Sequence, residues 1–277
     1  MAFGPHDVST GVPPIYAKRS NRIIPTTDTN WVVKLILPES RPLDNTAEIH
    51  NVLAIVNAPP RYCVEFPTRH CELFGTNAEG IWYALARYDA HVDTSDFCRM
   101  NWKQIGNAAL CFLEDLHHRH GLIHMDIKGD NILVNYSSRR FVVADFELMT
   151  APSPGLLRDT SDPDFLWYYL GYGAELDQPV KTWRTDLIML GYLLARLTWN
   201  YDNTWTAQER CWQKSRRPAT HAEIRELIVL RDSQLHAGAA PAVVTYLTHV
   251  AEHVSWDASV LPPSAELYRT LREILRN

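Results

Sequence analysis

The spacing of apolar residues changes character along the chain. The first part carries short, β-branched apolar runs set between prolines. Trp31 to Leu37 (WVVKLIL) is apolar around a single lysine, and Tyr62 to Phe66 and Ile81 to Leu85 are two further runs of strand type. Pro13-Pro14, Pro25, Pro38, Pro42 and Pro59-Pro60 punctuate this part. One helix interrupts it. Asp44 or Asn45 can cap that helix, and Ile49, Val52, Leu53 and Val56 recur at helical spacing up to Pro59. Together these residues predict a small sheet with one helix.

Further along, the period lengthens. Ile105, Ala109, Phe112, Leu113 and Leu116 predict one long helix from Phe97 to His120. Two short strands follow, Ile132 to Tyr136 and Phe141 to Ala144, joined by a turn at Ser137-Ser138-Arg139. After them the pattern is almost entirely helical. Asp186 is placed to cap Leu187 to Leu197, and helices are expected near 221–231, 241–254 and 264–276. The fold class is α+β: a small β-rich N-lobe with one helix (1–88) joined near Arg87-Tyr88-Asp89 to a larger, mostly helical C-lobe (89–277).

Composition narrows the function classes. Hydrophobic residues make up 46% and charged residues 21%, which is a globular balance. The net charge of −5 gives no global basic surface for nucleic acid. The five cysteines form no CxxC pair and read as free thiols of a reducing compartment. The longest apolar stretch, Leu187 to Ala195, falls far short of the ~20 residues that span a bilayer. No charged n-region and apolar run opens the chain, so a soluble, intracellular protein of cytoplasm or nucleus is expected, with no membrane partner.

The chemistry concentrates in residues 124–147. Phosphoryl transfer needs a carboxylate for the nucleophile's proton, oxygen ligands for Mg²⁺ and cations on the phosphates. Asp126 sits on a loop after a long helix, and Asn131 lies just before a strand. Asp145 closes the next strand, so the hairpin can return it to Asn131. A carboxamide and a carboxylate converging there can hold Mg²⁺ between phosphates. The cluster His117, His118, His120 and His124 could instead suggest zinc, but the helix end and the loop already account for it.

The stretch His124-Met125-Asp126-Ile127-Lys128-Gly129-Asp130-Asn131, followed by Ala144-Asp145-Phe146-Glu147, resembles the catalytic and metal-binding loops of the eukaryotic-type protein kinases, HRDxKxxN and DFG. The resemblance implies a bilobal kinase fold that uses ATP and Mg²⁺. It makes Asp126 the catalytic base, Lys128 a γ-phosphate contact, and Asn131 and Asp145 the metal ligands. Val32-Val33-Lys34 looks like the VAxK strand, so Lys34 becomes the α/β-phosphate lysine with Glu48 as its ion-pair partner. Asp186 to Gly191 resembles the DxWSxG start of a central helix, and Glu175 sits where the APE glutamate falls. Lys128, two residues after the base, is the serine/threonine pattern, which implies protein substrates with serine or threonine. Ala86, with Arg87 and Asp89, aligns with the adenine-contacting hinge, and a small Ala86 there implies an open back pocket.

The chain departs from the family at three places. Where the glycine-rich loop belongs, Thr10 to Arg19 retains only Gly11, with Lys18 and Arg19 as alternative positive charge. Met125 replaces the arginine that pairs with an activation-segment phosphate, which implies activity without phosphorylation at Thr150, Ser153, Thr160 or Ser161. Glu147 replaces the DFG glycine and should restrict backbone flipping. Two other classes share these parts: a pseudokinase scaffold, and a small-molecule kinase of the choline or aminoglycoside type. The compact chain resembles reduced kinases of large DNA viruses and bacterial effectors.

Overall fold

The computed structural model describes residues 14–17, 21–26, 28–37, 47–67, 73–77, 80–93, 95–154, 180–198 and 238–277. Gly11, Lys18, Arg19, Asp44, Asn45, Thr160, Ser161, Glu175 and the helix expected near 221–231 lie outside these residues.

The protein is mixed α+β. An antiparallel sheet contains β1 (Tyr16–Ala17), β2 (Asn21–Pro25), β3 (Trp31–Ile36), β4 (Phe74–Asn77) and β5 (Gly80–Ala86), in the order β1-β2-β3-β5-β4. Helix α1 (Ala47–Val56) follows β3 and buries Glu48, Val52 and Ile55. β6 (Ala90–His91) pairs with β7 (Ile132–Asn135), and β7 pairs with β8 (Arg140–Val143). β9 (Ser153–Pro154) pairs with β10 (Val180–Lys181). The helices are α2 (Asp96–Met100), α3 (Trp102–Asp115), α4 (Trp183–Thr198), α5 (Pro241–His253) and α6 (Ala265–Arg276).

The pleat of the sheet decides which residues face the rest of the protein. Lys34 pairs with Tyr83 and Val32 with Leu85, so these four side chains share one face. Val32, Tyr83 and Leu85 join the main core, which continues through α3, β7, β8 and α4 to Tyr268, Leu271 and Leu275 of α6. The intervening residues Val33, Leu35, Trp82 and Ala84 form a separate apolar cluster on the other face. Gly75 makes that second face possible, because a Cβ there would come within 2.1 Å of the Trp82 ring.

Four expectations change. Tyr62 to Phe66 is not a strand of the sheet; Cys63 makes an isolated bridge to Val143, with Val64 N–H donating to Val143 O at 3.0 Å. The segment thereby fastens the end of α1 to the β7–β8 hairpin, and Arg61 adds bonds to Glu114 and Asp115 of α3. The long helix expected from Phe97 to His120 breaks at Asn101 and closes with a π-helical turn, Leu116–His120, on left-handed Gly121. Asp186 does not cap α4. Thr182 precedes the helix instead, and the Thr185 hydroxyl accepts from its N–H at 3.1 Å, half of a capping box. Ala86 lies on the Trp82 face of β5, so Leu85, 5% exposed, is the residue on the Lys34 face near the strand end. The Ala86 side chain therefore lies on the face opposite Lys34.

Cys63, Cys98 and Cys111 are buried free thiols. Among the described residues, no helix is long and apolar enough to cross a membrane.

Candidate active site

Lys34 is buried on β3, at 6% exposure, inside a face of apolar neighbours. Its Nζ lies 2.6 Å from Glu48 Oε1 on α1 and 2.8 Å from Asp145 Oδ1 after β8. Burial alone would lower the ammonium's pKa; Asp145 and Glu48 together outweigh it and raise the value well above that of a free lysine. Glu48 is pushed up, first by burial and then by Asp145, against the pull of Lys34. Tyr83 O–H donates to the same Glu48 oxygen at 2.8 Å. Asp145 also pays a burial penalty, but Lys34 overrides it and holds the carboxyl below its ordinary range. Asp145 remains 31% exposed, and its left-handed φ of 66° turns it out of the β8 line.

Asp126, Lys128 and Asn131 form a second unit. Asn131 donates from Nδ2 to Asp126 Oδ2 at 2.7 Å and to Asp126 O at 2.9 Å. Lys128 Nζ lies 3.1 Å from Asp126 Oδ2. Gly129 packs where a Cβ would come within 2.4 Å of Val92 O, so the loop's path past β6 demands a glycine. The hairpin joins the two units as its register requires. Ala144 N–H donates to Asn131 O at 2.9 Å, and His124 Nε2 donates to Ala144 O at 3.1 Å. His124 Nδ1 then accepts from Asp126 N–H at 3.3 Å.

The loop rests on a buried carboxylate that local pattern did not assign this task. Asp186 Oδ2 accepts from His124 N–H at 2.7 Å and Oδ1 from Met125 N–H at 2.8 Å. His117 Nε2 adds a third bond at 3.0 Å. Burial keeps His117 neutral and lowers its pKa, despite Asp186. A neutral ring that donates from Nε2 must accept at Nδ1, and Tyr268 O–H of α6 supplies that bond. Met125 has a left-handed φ of 72° and packs with Ile123, Trp183 and Leu148.

Aromatic residues line the path from sheet to loop. Phe66 sits 6.5 Å from Tyr83 and 6.2 Å from Phe146, and Phe146 sits 6.0 Å from His124. The structure thus brings Lys34, Glu48 and Asp145 together, and Asp126, Lys128 and Asn131 together. Arg87 and Asp89, aligned with the hinge by sequence, bond within the protein. Arg87 N–H donates to Asn30 O at 2.8 Å, and Asp89 Oδ2 accepts from Tyr136 N–H at 2.7 Å, which ties Asp89 to the turn after β7. Of the other histidines, His118 bonds Pro263 O and His120 bonds Ala58 O.

Sequence pattern did not single out Asn51, Tyr83 or Tyr268. Asn51 lies one helical turn after Glu48, so the shared face was a usable signal. Tyr268 had none, because its partner is distant in the chain. No protein-family model matches the chain, and no curated protein matches it.

Proposed function

We propose that the protein is a serine/threonine protein kinase that transfers the γ-phosphoryl of ATP to protein hydroxyls. The observation that carries the reading is the buried Lys34, bonded at once to Glu48 and Asp145, with Asp145 tied through Ala144 to the Asp126–Asn131 unit. A buried ammonium shared by two carboxylates is costly to build and points to function more than to stability. Residues 1–88 and 89–277 act in this reading as the two lobes of one kinase domain.

The donor set suits a hard cation. Asn131 has its amide nitrogen committed to Asp126, so its oxygen is the ligand atom left to offer, and the partly exposed Asp145 follows Ala144, whose N–H bonds Asn131 O. These residues would hold Mg²⁺, which when bound neutralises charge on the β- and γ-phosphates. Lys34 stays charged for the α/β-phosphates. Asp126 accepts the proton of the attacking hydroxyl as its oxygen bonds to phosphorus and the bond to the ADP oxygen breaks. Lys128, beside Asp126, balances charge on the moving phosphoryl group. Lys128 also favours protein over small-molecule substrates, by its resemblance to the serine/threonine pattern.

Met125 supports independence from phosphorylation. It is 2% exposed, and its apolar contacts fix the loop where a cation would otherwise wait for phosphate. Glu147 needs no glycine, since its φ is not among the positive values.

The test is transfer of radiolabel from Mg-ATP to a mixed protein panel, with phosphoamino-acid analysis. Phosphoserine and phosphothreonine are expected, with loss of about 10²–10⁴-fold in Asp126→Ala. Nucleotide binding without any transfer would favour the pseudokinase reading.

A further inference from the structure

Asn51 stands on α1 three residues after Glu48, half-buried. Its Nδ2 gives one hydrogen to Phe146 O at 2.7 Å and the other to Met149 O at 2.9 Å. Those two carbonyls flank a turn, in which Met149 N–H donates to Phe146 O at 3.3 Å. Among side chains of this size, only a carboxamide brings two hydrogens on one atom to two acceptors there. The next residue, Thr150, exchanges a pair of backbone bonds with Ile123 at 3.0 and 2.8 Å. The contacts therefore close a ring: Glu48 to Lys34, Lys34 to Asp145, Asp145 along the chain to Phe146, and Phe146 back to Asn51.

We propose that Asn51 is a positioning residue that latches the Asp145–Thr150 segment to α1, so that the ion pair and the metal-binding aspartate are in place before Mg-ATP arrives. The role in turnover rests on the kinase reading; the latch itself does not. Glu48 and Asn51 lie on one face of a single helix, so α1 cannot move away without breaking both ties. Phe146 is fully buried between Phe66 and His124, and Asn51 holds its backbone carbonyl from the α1 side. This internal latch supplies order that an activation-segment phosphate would otherwise have to create.

Two variants test it. Asn51→Asp keeps the shape and presents a carboxylate to the two carbonyls, and Asn51→Ala removes the donors without adding charge. The first readout is hydrogen exchange of the ligand-free protein. Exchange at Met149, Thr150 and Ile123 is expected to quicken about tenfold or more in both variants, the change one ordinary hydrogen bond makes, while α3 amides stay as in the wild type. The second is kinetic. Saturating Mg-ATP restores the latched state, so its KM should rise about tenfold while kcat stays near wild type. Unchanged exchange in both variants overturns the latch, as does a fall in kcat at constant KM. A wild type that transfers no phosphate sinks the kinase reading, and exchange alone then decides the latch.

Discussion

The two halves of the site hold their aspartates in opposite ways. Asp145 is held by side-chain charge: the Lys34 ammonium, itself shared with Glu48 and backed by the Tyr83 phenol, with Asp145 31% exposed. The Asp126 carboxylate meets Asn131 Nδ2 and Lys128 Nζ, but the loop that carries it is held through its backbone. That loop hangs from Asp186, a carboxylate of 0% exposure that takes two main-chain N–H groups and neutral His117. In the proposed reading the charged half would exchange Lys34 for a metal cation, since both are positive partners of one carboxylate. The backbone half has no such freedom. If Asp126 is the base and Asp145 the metal ligand, as proposed, the first benefits from a fixed frame and the second from a replaceable partner.

Removing Asp186 should do the most damage. Asp186→Ala leaves buried donors without an acceptor, a loss of roughly 3–5 kcal/mol. A large drop in melting temperature is expected, with Asp186→Asn between the two. Next comes Lys34→Met, which strands Glu48 against Asp145 and should cost about 3 kcal/mol. Lys34→Met/Glu48→Met should regain much of that stability, since an apolar pair of similar size often replaces a buried ion pair without penalty. Mg-ATP binding should stay lost. A double variant no more stable than Lys34→Met would show that the pair is not what Glu48 depends on.

Acid should separate the halves. The unfolded His117 takes up a proton near pH 6.5, while the native, buried ring resists it. Its contribution is therefore full above about pH 6.5 and is lost as pH falls below that. Asp145 has its pKa lowered, so its contribution is present above the ordinary aspartate range and is lost only in stronger acid. Glu48, pushed up, runs the other way across the carboxylate range, its ionised form being the costly one. Melting temperature followed between pH 7 and pH 5 should decline less in His117→Gln than in the wild type; parallel curves would clear His117 of this role.

Smaller effects complete the contrast. Tyr268→Phe removes one donor to His117 Nδ1 and should cost about 1–2 kcal/mol by denaturant unfolding, with KM for Mg-ATP unchanged. Phosphatase treatment should leave transfer activity unaltered, since Met125 is packed against Ile123, Trp183 and Leu148. Activity lost on treatment and regained with Mg-ATP would contradict this.

Local chemistry explains which features could be read in advance. β3, α1, β5, β7, β8, α5 and α6 follow from apolar spacing, because each presents one apolar face to the core. Asp126, Asn131 and Asp145 were legible as a group because a tight hairpin makes their sequence spacing a spatial one. The short strands β1, β2, β4 and β6 were missed, as their runs are brief or carry polar residues. Tyr62 to Phe66 has a strand's composition but finds a lone bridge partner in Val143. Ala86 falls on the face opposite Lys34, because in a pleated strand a step of one residue changes face. Asp186 read as a helix cap because its true partners, His124, Met125 and His117, lie more than sixty residues away in the chain.

Calorimetric titration of Mg-ATP tests the division of labour most directly. If Asp126 acts in the chemical step, as proposed, the wild type and Asp126→Asn should bind alike, whereas Lys34→Met and Asp145→Asn should each lose binding. Absence of binding to the wild type, or equal binding to all four proteins, would contradict the assignment of Lys34 and Asp145 to the nucleotide and its metal.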